Sequence, residues 1–198
     1  PTEFYAAYAS GGLWYTNNNG TSFEPVMDNA PTQNIGCVAV DWKSGLILVG
    51  SGEVNSSRSS YAGIGVLKST DKGKTWTNIG LPDSHHISKI WINPIDNNEI
   101  VVGVLGHLYS KNEERGVFKT TNGGKTWTKT LYINDETGIV DISFAPNKKR
   151  MFKIIAKINK ALLPSYSMEH KTVYSMDGSE KHTSSLSYHQ ESCTSFRP

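Results

Sequence analysis

Ser69-Thr70-Asp71-Lys72-Gly73-Lys74-Thr75-Trp76 is the stretch that decides the fold, because it returns as Thr120-Thr121-Asn122-Gly123-Gly124-Lys125-Thr126-Trp127. Both read Ser/Thr-x-Asp/Asn-x-Gly-x-Thr-Trp. A weaker third copy, Thr16-Asn17-Asn18-Asn19-Gly20-Thr21-Ser22-Phe23, keeps Thr16, Asn18 and Gly20 and replaces the last two positions by Ser22 and Phe23. Each copy lies between a short apolar run and a run led by the large aromatic residue, so each must reverse the chain. Asp71 or Asn122 at the third position accepts backbone N–H bonds from the following residues. Gly73 or Gly124 at the fifth supplies a positive φ. The hydroxyls of Ser69 and Thr120, and of Thr75 and Thr126, tie the turn. Trp76 and Trp127 anchor it by burial, which would cost roughly 3–5 kcal/mol to remove. The residue types are those of a structural brace. A calcium loop is excluded, because alternating acidic ligands and a distal glutamate are missing.

Outward from the motifs, short strands alternate with turns. Gly65-Val66-Leu67-Lys68 enters the first full copy and Trp76-Thr77-Asn78-Ile79 leaves it. Ile35-Gly36-Cys37-Val38-Ala39-Val40 and Leu46-Ile47-Leu48-Val49-Gly50 precede it as buried strands. Ile87 to Ile92, Ile100 to Leu105 and Gly116 to Lys119 repeat the series. The copies start at 16, 69 and 120, intervals of 53 and 51. Four short strands in a period of about 50 residues predict β-propeller blades, each a meander that must bury its faces on its neighbours. The predicted class is all-β: about three full blades plus a partial one, in an incomplete ring. Residues 1–26 end a first blade, 27–80 and 81–133 are blades with a full motif, and 134–198 are a degenerate last blade or tail.

Composition agrees. The 198 residues carry 18 Gly, 5 Trp and 9 Tyr, with 37% hydrophobic residues and a formal net charge of +2. That balance gives no argument for nucleic acid or an anionic membrane. No apolar run approaches the roughly 20 residues of a membrane helix, and no signal peptide is visible. Cys37 and Cys193 match no metal or redox spacing, and Cys37 is expected to be buried. After Pro146 the chain changes, with nine Lys/Arg against four Asp/Glu, whereas the first 146 residues carry 11 against 14. A fourth motif copy over residues 175–182 keeps Ser175 and Asp177 but has Ser179 for glycine and His182 for tryptophan.

These motifs resemble the Asp-box, or BNR, repeats of the sialidase superfamily of β-propellers. The wider wording is similar to bacterial BNR-repeat proteins related to sortilin-type domains and often described as glycosyl hydrolase-like. Gly11-Gly12-Leu13-Trp14, Gly50-Ser51-Gly52-Glu53-Val54-Asn55 and Asn112-Glu113-Glu114-Arg115-Gly116-Val117-Phe118-Lys119-Thr120 carry it, over residues 5–146. The resemblance implies further blades of the same propeller as partners, a glycan, protein or peptide ligand, and an extracellular or periplasmic location. It implies no cofactor.

Strand order divides the surface. If the strands of a blade are A to D, the motif is the C–D turn, and all its copies lie on one face together with the A–B turns. The longer B–C and D–A loops gather on the other face, where binding groups are expected. Asn55, Arg58, His85, His86, His107, Tyr109 and Arg115 are the candidate binding residues. Glu53, Asp83 and Glu113 are the carboxylates available for acid–base chemistry, which a glycosidase needs as a pair. No spacing selects one. Arg115 beside Glu113 and Glu114 predicts a loop-bracing ion pair. His85-His86 with His107 is a metal-ligating possibility whose plainer reading is a set of surface imidazoles, and no metal is expected. The leading function is a module that binds protein, peptide or glycan through this face. The alternatives are a fragment of a glycoside hydrolase acting on a polysaccharide, and a fragment without independent function.

Overall fold

The structure, a computed structural model, describes residues 2–55 and 59–144 and the strands Phe152–Ile158, Thr172–Tyr174, Glu180–His182 and Thr194–Phe196. Arg58, Cys193 and residues 175–179 of the fourth motif copy lie outside the described residues.

Four antiparallel four-stranded sheets follow one another. The second consists of β4 (Ile35–Asp41), β5 (Leu46–Ser51), β6 (Val66–Ser69) and β7 (Thr77–Asn78), hydrogen-bonded in that order. The third repeats it with β8 (Ile87–Ile92), β9 (Ile100–Val104), β10 (Gly116–Thr120) and β11 (Thr128–Leu131). The fourth has β12 (Thr137–Phe144), β13 (Phe152–Ile158), β14 (Thr172–Tyr174) and β15 (Glu180–His182). These are propeller blades, and the ring is not closed in this chain.

The first sheet differs in origin. The N-terminal stretch supplies only β1 (Phe4–Tyr8), β2 (Gly12–Thr16) and β3 (Glu24–Pro25). Its fourth strand is β16 (Thr194–Phe196), which lies antiparallel on β1 with Phe4 opposite Phe196 and Ala6 opposite Thr194. In the position held by β4 and β8 elsewhere, a strand from the far end of the chain completes the blade that the sequence reading leaves partial.

The core lies between blades and follows from the two-residue period of a strand. Along β5, Leu46 and Leu48 join Cys37 and Val66 against Ile87, Ile90, Ile100, Val102 and Val104 of the third sheet. The intervening Ile47 and Val49 face the other way, against Tyr5, Leu13 and Met27 of the first. Along β9, Val101 joins Val117 against Ile139 and Ile142 of the fourth. A strand buried on both faces is apolar at every position, and the unbroken run Leu46-Ile47-Leu48-Val49 reflects this. Each such side chain contributes about 1.5–3 kcal/mol by leaving water. Cys37, 1% exposed, is an ordinary member of this core.

Candidate functional site

The repeated turn closes on itself in the same way three times. Ser69 Oγ donates to Asp71 Oδ1 (2.8 Å) and accepts the Gly73 N–H (2.8 Å). Asp71 Oδ1 accepts the Thr75 N–H (2.9 Å), and Oδ2 accepts the Thr75 hydroxyl (2.6 Å). Thr120 bonds Asn122 Oδ1 and Gly124 N–H at 2.8 and 3.1 Å, and Asn122 Oδ1 accepts the Thr126 N–H at 3.0 Å. Thr16, Asn18, Gly20 and Ser22 repeat the set at 2.9–3.0 Å. One bond changes direction. The Asp71 carboxylate accepts from Thr75, whereas the Asn122 amide donates to Thr126 Oγ1 (2.8 Å) and Asn18 to Ser22 Oγ (2.9 Å). The Thr75 side-chain and backbone bonds, with Ser69, hold the Asp71 carboxyl down at about 2. Its oxygens are committed to the turn.

The motif does more than close a hairpin. Trp76 Nε1–H donates to Val26 O of the preceding blade (2.9 Å), and Trp127 Nε1–H donates to Ile79 O of the blade before it (2.7 Å). Each tryptophan is a latch between neighbours. The motif glycine makes room: a Cβ at Gly73 would lie 2.7 Å from Val26, and at Gly124 2.7 Å from Ile79. Phe23 has no N–H to offer and meets Phe4 edge-on at 5.9 Å instead.

On the opposite face, two B–C loops (residues 52–55 with 59–65, and 105–115) and the connection 79–86 meet. The connection is clamped. His85 O accepts the Gly63 N–H (2.6 Å), and a Cβ at Gly52 would lie 1.8 Å from that same oxygen. Only glycine at 52 permits the approach. Two non-glycine residues of the connection have positive φ, Leu81 at 57° and His85 at 53°. The short 3-10 turn Pro82–Ser84 lies between them and carries the exposed Asp83.

This geometry brings the three candidate histidines together. The His85 and His107 rings stack at 3.6 Å between centroids, 14° apart, and His86 lies edge-on to His85 at 6.2 Å. Burial, then the neighbouring His107, lowers the His85 pKa, with Asp83 and Glu114 opposing. Burial carries His86 down to about 4, against a hydrogen bond to the Glu53 backbone that favours its charge. Both imidazoles are therefore neutral near pH 7. Among the described residues, no group of three or more His, Cys, Asp or Glu side chains is placed to hold a metal.

The other candidates separate. Tyr109 is 52% exposed on this face, and Asn55 and Glu113 are exposed as well. Glu53 is 5% exposed and belongs to the loop's interior. Arg115 corrects the sequence reading: it is 1% exposed and its recorded hydrogen bonds pair it with neither Glu113 nor Glu114. Its guanidinium donates to four backbone carbonyls, Leu105 O (2.5 Å), His107 O (2.5 Å), Asp135 O (3.0 Å) and Ser110 O (3.1 Å). It braces the B–C loop against the next connection and is withdrawn from any ligand. The surface ion pair here is instead Lys111 with Glu136 (2.7 Å). Tyr61 and Tyr132, 59% and 42% exposed, are loop-face aromatics outside the candidate set. The Lys129 ammonium sits over Tyr132, 4.8 Å from its ring centre. Both lie in the loops assigned to this face, Tyr132 directly after β11, and that placement is the signal that marks them.

The Sortilin-Vps10 family model, described as sortilin, neurotensin receptor 3, matches residues 65–197. The matched span continues past residue 146, where the sequence resemblance fades. No curated protein matches the sequence significantly. Among solved structures, the GH74 xyloglucanase from Xanthomonas campestris superposes with a TM-score of 0.64 at 14% identity, covering 96% of this chain and 30% of that one. The GH74 enzyme of Niastella koreensis gives 0.62 at 18% identity, covering 91% and 28%. YCF48 from Cyanidioschyzon merolae gives 0.50 at 17%, covering 92% and 56%. At these identities the likeness is one of fold, and the chain spans less than a third of the GH74 chains.

Proposed function

The chain belongs to the Sortilin-Vps10 family of β-propellers, and from that membership we propose that it is a binding module, holding a glycan or a peptide on the loop face opposite the repeated turns. The observation that carries this is the stacked His85–His107 pair. It is presented by a connection in which two non-glycine residues, Leu81 and His85, have positive φ, a sparsely populated backbone that costs on the order of 1–3 kcal/mol per residue and persists where the surroundings enforce it. The sequence spends stability to hold two stacked aromatic planes on the face whose loops also carry the exposed Tyr109 and Tyr61. We read residues 27–80 and 81–133 as the blades that flank the site, with 1–26 and 134–198 as the outer parts. Membership also favours an extracellular or periplasmic setting. No helix of the described residues is long and apolar enough to cross a membrane.

The test is a binding screen of the full chain against arrays of oligosaccharides and of peptides, followed by His85→Ala and His107→Ala. A ligand should bind the parent, and each variant should weaken it at least tenfold while melting within about 2 °C of the parent. A ligand whose affinity ignores both substitutions would overturn the assignment of the face. Sugar release by the parent that disappears in Glu113→Gln would instead favour a glycoside hydrolase.

A further inference from the structure

The junction that Trp127 latches is not filled. A cavity of about 450 Å³ opens beside the indole, lined by Asn78, Ile79 and Gly80 at the exit of β7 and by residues 123–127 of the third sheet's repeated turn. Clefts that hold small molecules have volumes of roughly 300–1,000 Å³.

Two glycines make the room. Trp76 reaches Val26 O and Trp127 reaches Ile79 O, so Gly80 stands where the junction of the first and second sheets has Met27. Gly123 likewise stands where the first full copy of the turn has Lys72. Met27 is 1% exposed and belongs to the core that Trp76 packs against. At Gly80 a Cβ alone would lie 2.6 Å from Trp127 Nε1, so a side chain does not fit there and the indole lines the cavity together with Ile79. Gly123 and Lys72 share a left-handed backbone, φ 69° and 62°, and only Lys72 carries a side chain.

The rim of the cavity is made of donors. Lys125 and Thr126 line it, and Lys68 Nζ reaches across from the second sheet to 3.7 Å from where a Cβ on Gly123 would stand. The ion pairs recorded among the described residues are made by Lys89, Lys111 and Lys119 instead. The turn itself supplies a third donor. Thr75 donates its hydroxyl hydrogen to Asp71 Oδ2 (2.6 Å), whereas Thr126 Oγ1 accepts from Asn122 Nδ2 (2.8 Å) and keeps its own hydrogen to donate. The exchange of Asp for Asn at the third position of the turn therefore makes Thr126 a donor at the cavity.

An apolar floor of indole and isoleucine, with two ammonium groups and a hydroxyl at its rim, fits a flat hydrophobic ring that carries an anionic acceptor. We propose that this cavity binds a small aromatic carboxylate, at a site separate from the loop face. The ring lies against Trp127 and Ile79, and the carboxylate accepts from Lys125, Lys68 and Thr126 Oγ1.

Nitrogen-edited NMR of the full chain tests it, following the indole N–H resonances as phenylacetate is added. Benzyl alcohol (the ring without the charge), acetate (the charge without the ring) and phenethylamine (the ring with the opposite charge) are the controls. Phenylacetate should shift the Trp127 resonance saturably, with a Kd of about 1 mM or below, and leave the Trp76 resonance in place. Each control should bind about tenfold more weakly or worse. Lys125→Gln should weaken phenylacetate about three- to tenfold, the worth of one charge-assisted bond at a solvated rim. Asn122→Asp copies the first full turn, in which the carboxylate draws the threonine hydroxyl inward. It should weaken phenylacetate by a similar factor while melting within about 2 °C of the parent. Equal binding of benzyl alcohol and phenylacetate, or tighter binding of phenethylamine, would overturn the ligand class. A shift that does not saturate, or one that falls on Trp76 rather than Trp127, would overturn the site. Phenylacetate binding indifferent to both variants would remove the proposal.

Discussion

Gly45→Ala and Gly124→Ala should separate two costs that motif glycines carry together. Gly45 has φ +72 and Gly124 φ +93, so an L side chain strains the backbone at both, by roughly 1–2 kcal/mol. Their surroundings differ. Nothing lies within 4 Å of a Cβ at Gly45, whereas one at Gly124 meets Ile79 Cδ1 at 2.7 Å and Ile79 Cβ at 2.8 Å. Ile79 belongs to the preceding blade, and its carbonyl is already held by Trp127. Forcing a methyl into that contact adds about 1–3 kcal/mol of overpacking. Gly45→Ala should thus cost about 1–2 kcal/mol and Gly124→Ala about 2–5 kcal/mol. Urea unfolding followed by tryptophan fluorescence, with the slope checked for constancy, measures both. Combining Gly124→Ala with Ile79→Ala should recover part of the excess as a coupling of about 1 kcal/mol, partial because the Ile79 Cβ remains. Equal losses for the two alanine variants, within about 0.5 kcal/mol, would refute the claim that the motif glycine is fixed by blade-to-blade contact as well as by φ.

Arg115→Lys should destabilise almost as much as Arg115→Ala, by about 3 kcal/mol or more in thermal unfolding, because an ammonium lacks the fork that reaches Leu105, His107 and Asp135 together. Asp71 has its folded pKa lowered from 3.8 to about 2, so its contribution is present above pH 3.8 and is lost as pH falls through about 2. Asp71→Asn, which copies the residue at 122, should fold normally and show a flatter urea midpoint over that window. His86 has its folded pKa lowered from 6.5 to about 4, so its contribution is present above pH 6.5 and is lost progressively as pH falls through about 4. His86→Gln should remove that part of the acid sensitivity, seen as a smaller drop in urea midpoint between pH 7 and 4.

What could be read from the chain was local. The turn chemistry of Ser69, Asp71, Gly73 and Thr75 spans at most four residues, so side chain and backbone find each other wherever the fold places the hairpin. Strand alternation is equally local, and with the 53- and 51-residue intervals it determined the blade plan and which loops share a face. The sequence singled out His85, His86, His107 and Tyr109, because polar loops at known strand ends must gather there.

Tertiary structure decided every relation between distant segments. The tryptophan latches join residues 50 and 48 apart, and nothing in Trp76 or Trp127 names Val26 or Ile79. Arg115 stood beside two glutamates, and proximity in sequence suggested an ion pair. Its recorded bonds go instead to backbone carbonyls up to 20 residues away, because buried carbonyls without partners are costlier than a solvated carboxylate. Thr194–Phe196 completes the first blade because the inner edge of β1 is a row of unpaired backbone groups, which any extended segment of the chain can satisfy. The stacking of His85 on His107 needs the His85 carbonyl seated over Gly52 and Gly63, a contact set by backbone approach and invisible to residue type alone.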